Sequence, residues 1–323
     1  MQGWRLEMED AHVSIDMPSR SDHTFLAVFD GHGGAGAAIY AADKMVGMIE
    51  KTPQWEKYLA MLSSNSNDDE CMAVLGDALQ QAFLNIDQEM KFHQNVYNAN
   101  KNPSDRDSSG CTSVTCMITP NYILCANAGD SRCVLGSNGS TIPMSEDHKP
   151  FDEGERKRIE NAGGTVQYKR VDGDLAVSRA LGDFQFKARD DLPATEQRVS
   201  CFPDIRIHRR TPQDEVLLLA CDGLWDVMSN DDATAMIRDL YSKGEGDVVL
   251  VAEEMVDSAL NLSSKDNISA VVAKLPGAAI GDPSGGGVAR IRDTRKMAEA
   301  KAHIKLDSDN IDIQSHGDSK LDD

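Results

Sequence analysis

At 323 residues, 40% apolar and 27% charged, the chain has the composition of a globular protein with a sizeable core, and the length of one large or two ordinary domains. A formal net charge of −20 argues against nucleic acid as the main partner, and no run approaches the ~20 apolar residues of a membrane span. The chain opens Met1-Gln2-Gly3-Trp4-Arg5 with no apolar signal core, and its seven cysteines form no C-x-x-C pair, so they read as reduced core residues of a cytoplasmic or nuclear protein.

In chain order, Thr24–Phe29 is a short apolar run stopped by Asp30-Gly31, the profile of a buried strand. Ile39, Ala42, Val46 and Ile49 then predict one amphipathic helix, and Met72, Leu75, Leu79, Phe83, Ile86 and Met90 predict a second. The polar stretch Asn95–Ser109 reads as a loop. Three strand-like runs follow, Ser113–Ile118, Tyr122–Ala126 and Arg132–Leu135, and the short links between them predict antiparallel neighbours. Asp152 with Glu155 resembles a capping box opening a helix that Gly163-Gly164 ends.

Asp183–Gln197 is polar and aperiodic, an exposed flap. Glu215–Ala220 is a further buried strand stopped by Cys221-Asp222-Gly223, and of the two helices after it the second turns Val248, Val251, Met255, Val256 and Ala259 inward. Ile268–Ala273 is the last strand. Helices interleaved with antiparallel runs, without a βαβ rhythm, predict an α+β fold. After Pro276 the composition shifts to a Gly/Ala/Pro-rich linker, 277–287. A basic segment Val288–Leu306 could form a short helix, and an acidic tail from Asp307 has too little apolar surface to order.

An Asp-Gly pair alone is more often a turn than a ligand. In Phe29-Asp30-Gly31-His32-Gly33-Gly34, however, a carboxylate at a strand end is followed by three glycines within four residues, and the arrangement recurs at Ala220-Cys221-Asp222-Gly223-Leu224-Trp225-Asp226. Further acids cluster at Glu7-Met8-Glu9-Asp10 and Lys265-Asp266-Asn267. Carboxylates beside buried strands are unfavourable unless paired or metal-bound, and two hard cations about 4 Å apart would satisfy them.

These segments, with Gly3-Trp4-Arg5-Leu6-Glu7-Met8-Glu9-Asp10-Ala11-His12, Asn127-Ala128-Gly129-Asp130-Ser131-Arg132 and Leu175-Ala176-Val177-Ser178-Arg179-Ala180-Leu181-Gly182-Asp183, closely resemble the metal-dependent type-2C serine/threonine protein phosphatases (the PPM family) in kind and order. The resemblance implies an α-β-β-α sandwich, two antiparallel sheets flanked by helices, with a metal cleft at one end. It also implies a catalytic domain over 1–276 whose N-terminal edge strand is missing, because the chain starts inside the first motif, and 277–323 as an appendage.

By the same resemblance, Asp30 bridges two Mn2+ or Mg2+ ions, Asp222 and Asp266 complete the first site, and the Gly31 carbonyl ligates the second. Glu9 and Asp10 hold waters, and Asp130 with Asp222 and Asp226 forms a weaker third site. Glu9, Asp10, Asp30, Asp222 and Asp266 carry −5, which two divalent ions and Arg5 bring to about zero, so metal is expected to be needed for phosphate to enter. Water activated between the ions is the expected nucleophile, Arg5 the expected phosphoryl grip and His32 the expected general acid. Arg179 is open between aiding substrate access and packing on a carboxylate, and His148 carries no assigned chemistry. The expected partners are phosphoserine and phosphothreonine proteins, with no nucleic acid and no membrane, and a monomer suffices. A catalytically silent scaffold would lack metal carboxylates that are all present here, and a diesterase or nuclease would need a basic groove.

Overall fold

A computed structural model of the chain describes residues 1–64, 67–99, 101–102 and 105–298; the acidic tail and the end of the basic segment lie outside these. In order, the elements are β1 (Ala11–Met17), β2 (Arg20–Phe29), β3 (Gly31–His32), α1 (Gly36–Glu50), α2 (Pro53–Ser63), α3 (Asp68–Asn98), β4 (Gly110–Cys111), β5 (Ser113–Ile118), β6 (Tyr122–Ala128), β7 (Arg132–Ser137) and β8 (Ser140–Pro143). They continue with α4 (Glu153–Asn161), β9 (Val166–Gln167), β10 (Arg170–Val171), β11 (Leu181–Gly182), β12 (Asp204–Arg209), β13 (Asp214–Ala220), α5 (Asp222–Trp225), α6 (Asn230–Ser242), α7 (Val248–Asn261) and β14 (Ala270–Lys274). A last helix, α8, spans 287–298.

Two antiparallel sheets form the centre, in the orders β1-β2-β5-β6-β12 and β14-β13-β7-β8. Strand alternation generates the layers. Along β2, Phe25, Ala27 and Phe29 face α1, α2 and α3, while Leu26 and Val28 face the other sheet. Along β13, Val216, Leu218 and Ala220 face α5, α6 and α7, while Leu217 and Leu219 point back between the sheets. Both faces of both strands are buried, which is why they read as continuous apolar runs. The α-β-β-α sandwich follows from this burial. All seven cysteines are buried free thiols, four of them in the inter-sheet core.

Several local expectations change. Helix α1 buries Ala38, Ala41, Met45 and Ile49 and leaves Ile39 60% exposed, so the true apolar stripe lies one position from the Ile39-Ala42 register. Helix α3 runs through Asn98, into the stretch read as loop, because Asn98 exchanges side-chain hydrogen bonds with the Asp107 backbone at 2.7 and 2.8 Å. The link at Gly129-Asp130 does not make a hairpin: β6 and β7 belong to different sheets, and the chain turns the corner with Gly129 at φ +128°. The Asp152 side chain caps no α4 amide, and Glu155 turns inward to Arg158, Arg179 and Ser178. The flap is anchored, since Lys187 is buried and donates to Asp87 at 2.6 Å and to the Ala180 carbonyl at 2.8 Å.

The glycine-rich stretch after Pro276 is not a free linker. Gly277, Gly281 and Gly287 donate to the carbonyls of Asp214, Tyr241 and Lys243, and Val288 is 1% exposed in the α6–α7 core. Glycine permits this because the backbones touch: a Cβ on Gly281 would lie 2.0 Å from the Ser242 carbonyl oxygen. The basic residues of α8 then have a purpose. Glu254 is fully buried in α7 and accepts from Arg292 and Arg295, with Arg292 also reaching Glu253 and Asp257. Replacing both arginines by alanine strands that charge and is expected to reduce stability by about 3 kcal/mol in a urea titration. A change below about 0.5 kcal/mol would show that the arginine pairs with Glu254 contribute nothing to stability.

Candidate metal centre

β2 delivers Asp30 to one end of the sandwich, and β13 delivers Asp222 beside it. The glycines after them are required by contact. A Cβ on Gly31 would lie 2.1 Å from the Glu9 carbonyl oxygen, and one on Gly223 2.0 Å from that of Asn267. Each Asp-Gly thus seats one carboxylate strand end directly on the backbone that bears the next acid. Asn267 ties these segments together: its side-chain amide donates to the Gln2 and Glu7 carbonyls at 2.8 and 2.9 Å, and its side-chain oxygen accepts from Glu9 N at 2.8 Å. Arg5, Glu9 and Asp10 are thereby laid against Asp266.

The result is a cleft of about 520 Å³ lined by Arg5, Glu9, Asp30, Gly31, His32, Asp130, Asp222, Asp226 and Asp266. Asp10 lies against its floor. Carboxylate oxygens of Asp30, Asp130 and Asp222 all fall within 4.8 Å of one another, and Asp10, Asp30 and the Cys221 thiol form a second group at the same spacing. Asp30 belongs to both groups, and the expected metal ligands, Arg5 and His32 are brought to one place around it. Glu9 is held by Gly34 N, which donates to Oε1 at 2.6 Å.

The electrostatics are those of carboxylates short of positive charge. Burial first, then Asp222, Asp10, Asp130 and Asp266, holds the Asp30 carboxyl well above the usual range. Burial and Asp130, Asp226 and Asp266 push Asp222 up to about 7 against a hydrogen bond with Asp30. Burial also raises Asp10; Ser269 and Cys221 lie close enough to oppose the rise, yet both Asp10 oxygens are buried without an aligned hydrogen-bond partner. A buried acid with two unpartnered oxygens, beside the all-carboxylate set of Asp30, Asp130 and Asp222, fits hard divalent cations, and the one sulfur nearby, the Cys221 thiol, is pushed up by burial and is a poor ligand for a soft metal.

Arg5 Nη2 donates to Asp266 Oδ2 at 2.5 Å and remains half exposed at the mouth. His32 Nε2 lies 2.7 Å from Asp183 Oδ2. Burial alone would lower the imidazolium, but the hydrogen bond and charge of Asp183, with Asp130 and Glu9 behind it, outweigh that and raise it above the ordinary histidine value. Asp130 is already paired, accepting from Lys149 Nζ at 2.5 Å, so a cation held there competes with an ammonium. Asp226 sits at the exposed end of α5.

Arg179 resolves to packing. It binds Glu155 at 2.8 Å and Asp204 at 2.7 Å and does not line the cleft. His148 is structural too: its Nδ1 accepts from Gly129 N at 3.2 Å and its Nε2 lies 3.1 Å from Asp204, fixing the bend that carries Asp130. Sequence reasoning gave no role to Asp183, Lys149 or Asn267. All three lie within or beside the motif segments, and no spacing rule reveals their partners: Asp183 meets His32 across 151 positions, Asn267 meets Gln2 across 265, and Lys149 reaches Asp130 across 19.

A family model described as Protein phosphatase 2C matches residues 1–268. Over 274 residues the chain is 39% identical to Protein phosphatase 1B of Homo sapiens, covering 84% of this chain and 55% of that protein. It is 36% identical over 285 residues to Protein phosphatase ppm-1.A of Caenorhabditis elegans, covering 86% and 58%. The fold is similar to the crystal structure of serine-threonine phosphatase 2C from Toxoplasma gondii, with a TM-score of 0.72 and 27% identity over 84% of this chain and 91% of that one. The chain spans little more than half the length of these two curated relatives.

Proposed function

The chain belongs to the protein phosphatase 2C family, a metal-dependent one, and from that membership we propose that it hydrolyses phosphoserine and phosphothreonine in proteins using two Mn2+ or Mg2+ ions. The observation that carries this reading is the Asp30-centred cluster with its unpartnered Asp10. Asp30 would be shared between the ions, Asp222 and Asp266 would complete one site and Gly31 the other. Glu9 and Asp10 would act through water, and Asp130, Asp222 and Asp226 would form a weaker third site. Bound ions supply a water of lowered pKa as nucleophile together with positive charge for the phosphoryl oxygens.

The chain's own groups do the rest. Without countercharge its carboxylates repel a phosphate dianion, so loading gates entry as well as chemistry. Arg5, at the mouth, presents a planar guanidinium suited to phosphoryl oxygens, and Asp266 orients it. His32 on the wall is oriented by Asp183, whose hydrogen bond and charge raise its imidazolium above the ordinary value against its burial, and it is the group available to protonate the departing serine or threonine oxygen. The cysteines are buried thiols, which excludes an exposed thiolate nucleophile among them.

Phosphate release from a phosphothreonine peptide, followed with Mn2+, after chelation, and after Mn2+ or Mg2+ is restored, tests the proposal. Turnover is expected only with metal, and chelator-insensitive turnover would overturn it.

A further inference from the structure

The mouth of the cleft differs in character from its floor. On one rim Trp4, 70% exposed, lies between Gly3 and the cleft residue Arg5, and Lys265, next to the cleft residue Asp266, stands over its ring at 5.7 Å. On the other rim Phe151, 47% exposed, follows the cleft residue Lys149 by two positions, and Lys169, next to the cleft residue Arg170, stands over its ring at 5.2 Å. Two exposed aromatic–lysine pairs therefore adjoin residues of the cleft lining, Arg5 and Asp266 for one and Lys149 and Arg170 for the other, in a protein of net charge −20. Neither Lys169 nor Lys265 forms an ion pair among the described residues.

The second rim is built at a conformational cost. β9 and β10 pair as a hairpin whose two-residue tip is Tyr168-Lys169, both with positive φ, +51° and +63°. Such a tip favours Asn-Gly, and bulky side chains at both positions hold the backbone in a conformation they rarely adopt. The tip instead carries a tyrosine that is 91% exposed and the ammonium that stands over Phe151, immediately before Arg170 in the cleft wall. Strain that holds an aromatic ring and a cation in solvent beside a cleft marks a contact surface.

We propose that the two aromatic–lysine rims form a subsite for the residues flanking the phosphorylated one, selecting segments with acidic side chains on either side. The inference rests on the phosphatase reading and deepens it. The cations meet the flanking carboxylates, and the aromatic faces cover the peptide backbone and aliphatic stems, contacts that a small aryl phosphate cannot reach. Rim charges act through encounter and KM more than through kcat, and salt screens them.

The test compares kcat/KM for three phosphothreonine peptides flanked by glutamate, alanine or lysine, with p-nitrophenyl phosphate as internal reference, in saturating Mn2+. The wild-type chain is expected to favour the glutamate over the lysine peptide by about tenfold at low salt, from about threefold per rim lysine. In Lys169→Glu with Lys265→Glu the ratio of the two peptides should fall to one or below, and Trp4→Ala with Tyr168→Ala should weaken all three peptides relative to the aryl phosphate. Equal rates for the three peptides beside normal aryl phosphate turnover would overturn the subsite and leave the phosphatase reading standing. Failure to turn over either peptide or aryl phosphate would overturn both.

Discussion

Asp30→Asn is expected to lower metal-supported phosphopeptide turnover by at least about 10³-fold. Removing one preorganised electrostatic contact to a transition state costs about 10²–10³ in rate, and Asp30 stands in both groups of converging ligand atoms. The substitution keeps shape and volume, so the loss will not come from unfolding. In chelator at neutral pH the variant should be more stable than wild type by about 2 kcal/mol, because an acid that burial, Asp222, Asp10 and Asp130 make unfavourable to ionise is replaced by an amide that needs no proton to be neutral. Urea titrations of both proteins in chelator, beside steady-state rates in Mn2+, give the pair of numbers. Retention of more than a tenth of the turnover would show that Asp30 is not the shared ligand.

The second large effect is a stability curve that runs opposite to the usual one for carboxylates. Asp222 rises from 3.8 to about 7 on folding, and Asp30 moves in the same direction. Between these limits the folded state holds a proton that the unfolded state has lost, so metal-free stability falls as pH climbs from about 4 to about 7, by up to about 4 kcal/mol. Below that window Glu155, held down to about 2 by Arg179 and Arg158 against its burial, gives the ordinary dependence, and stability is lost as pH drops from 4.5 toward 2. The chelated protein should therefore be most stable near pH 4 to 5. Saturating Mn2+ should remove the upper decline by displacing the retained proton, and at 100 times the dissociation constant it should add about 2.7 kcal/mol. Thermal melts across pH with and without metal, and calorimetry in two buffers of different ionisation enthalpy, check this. A chelated protein whose melting temperature stays level from pH 4 to 7, with no proton released on binding, would contradict it.

Much of the fold was legible because its signals are local. A strand buried on both faces, such as β13, is a continuous apolar run, and the α3 stripe from Met72 to Met90 repeats at helical spacing; both are properties of neighbours in sequence. The errors arose where a distant partner outweighed the local signal. Asn98 extends α3 because Asp107 returns to meet it, and Glu155 abandons its cap for Arg158 on its own helix and for Arg179, which the fold brings to it from 24 positions on. The corner at Gly129 is as short as a hairpin turn, yet the core between the sheets draws β7 into the second sheet.

At the site the same division holds. The sequence by itself determined which carboxylates exist, that Asp30 and Asp222 end buried strands, and, through the order of the motifs, the family to which they belong. Only the tertiary structure decided how those groups are spent: Asp10 left unpartnered, Asp130 paired with Lys149, Arg179 drawn away to Glu155, and His32 set on Asp183. The physical reason is separation along the chain. His32 and Asp183 lie 151 positions apart and Arg5 and Asp266 lie 261, so their meeting depends on how two sheets stack and is written in no local period.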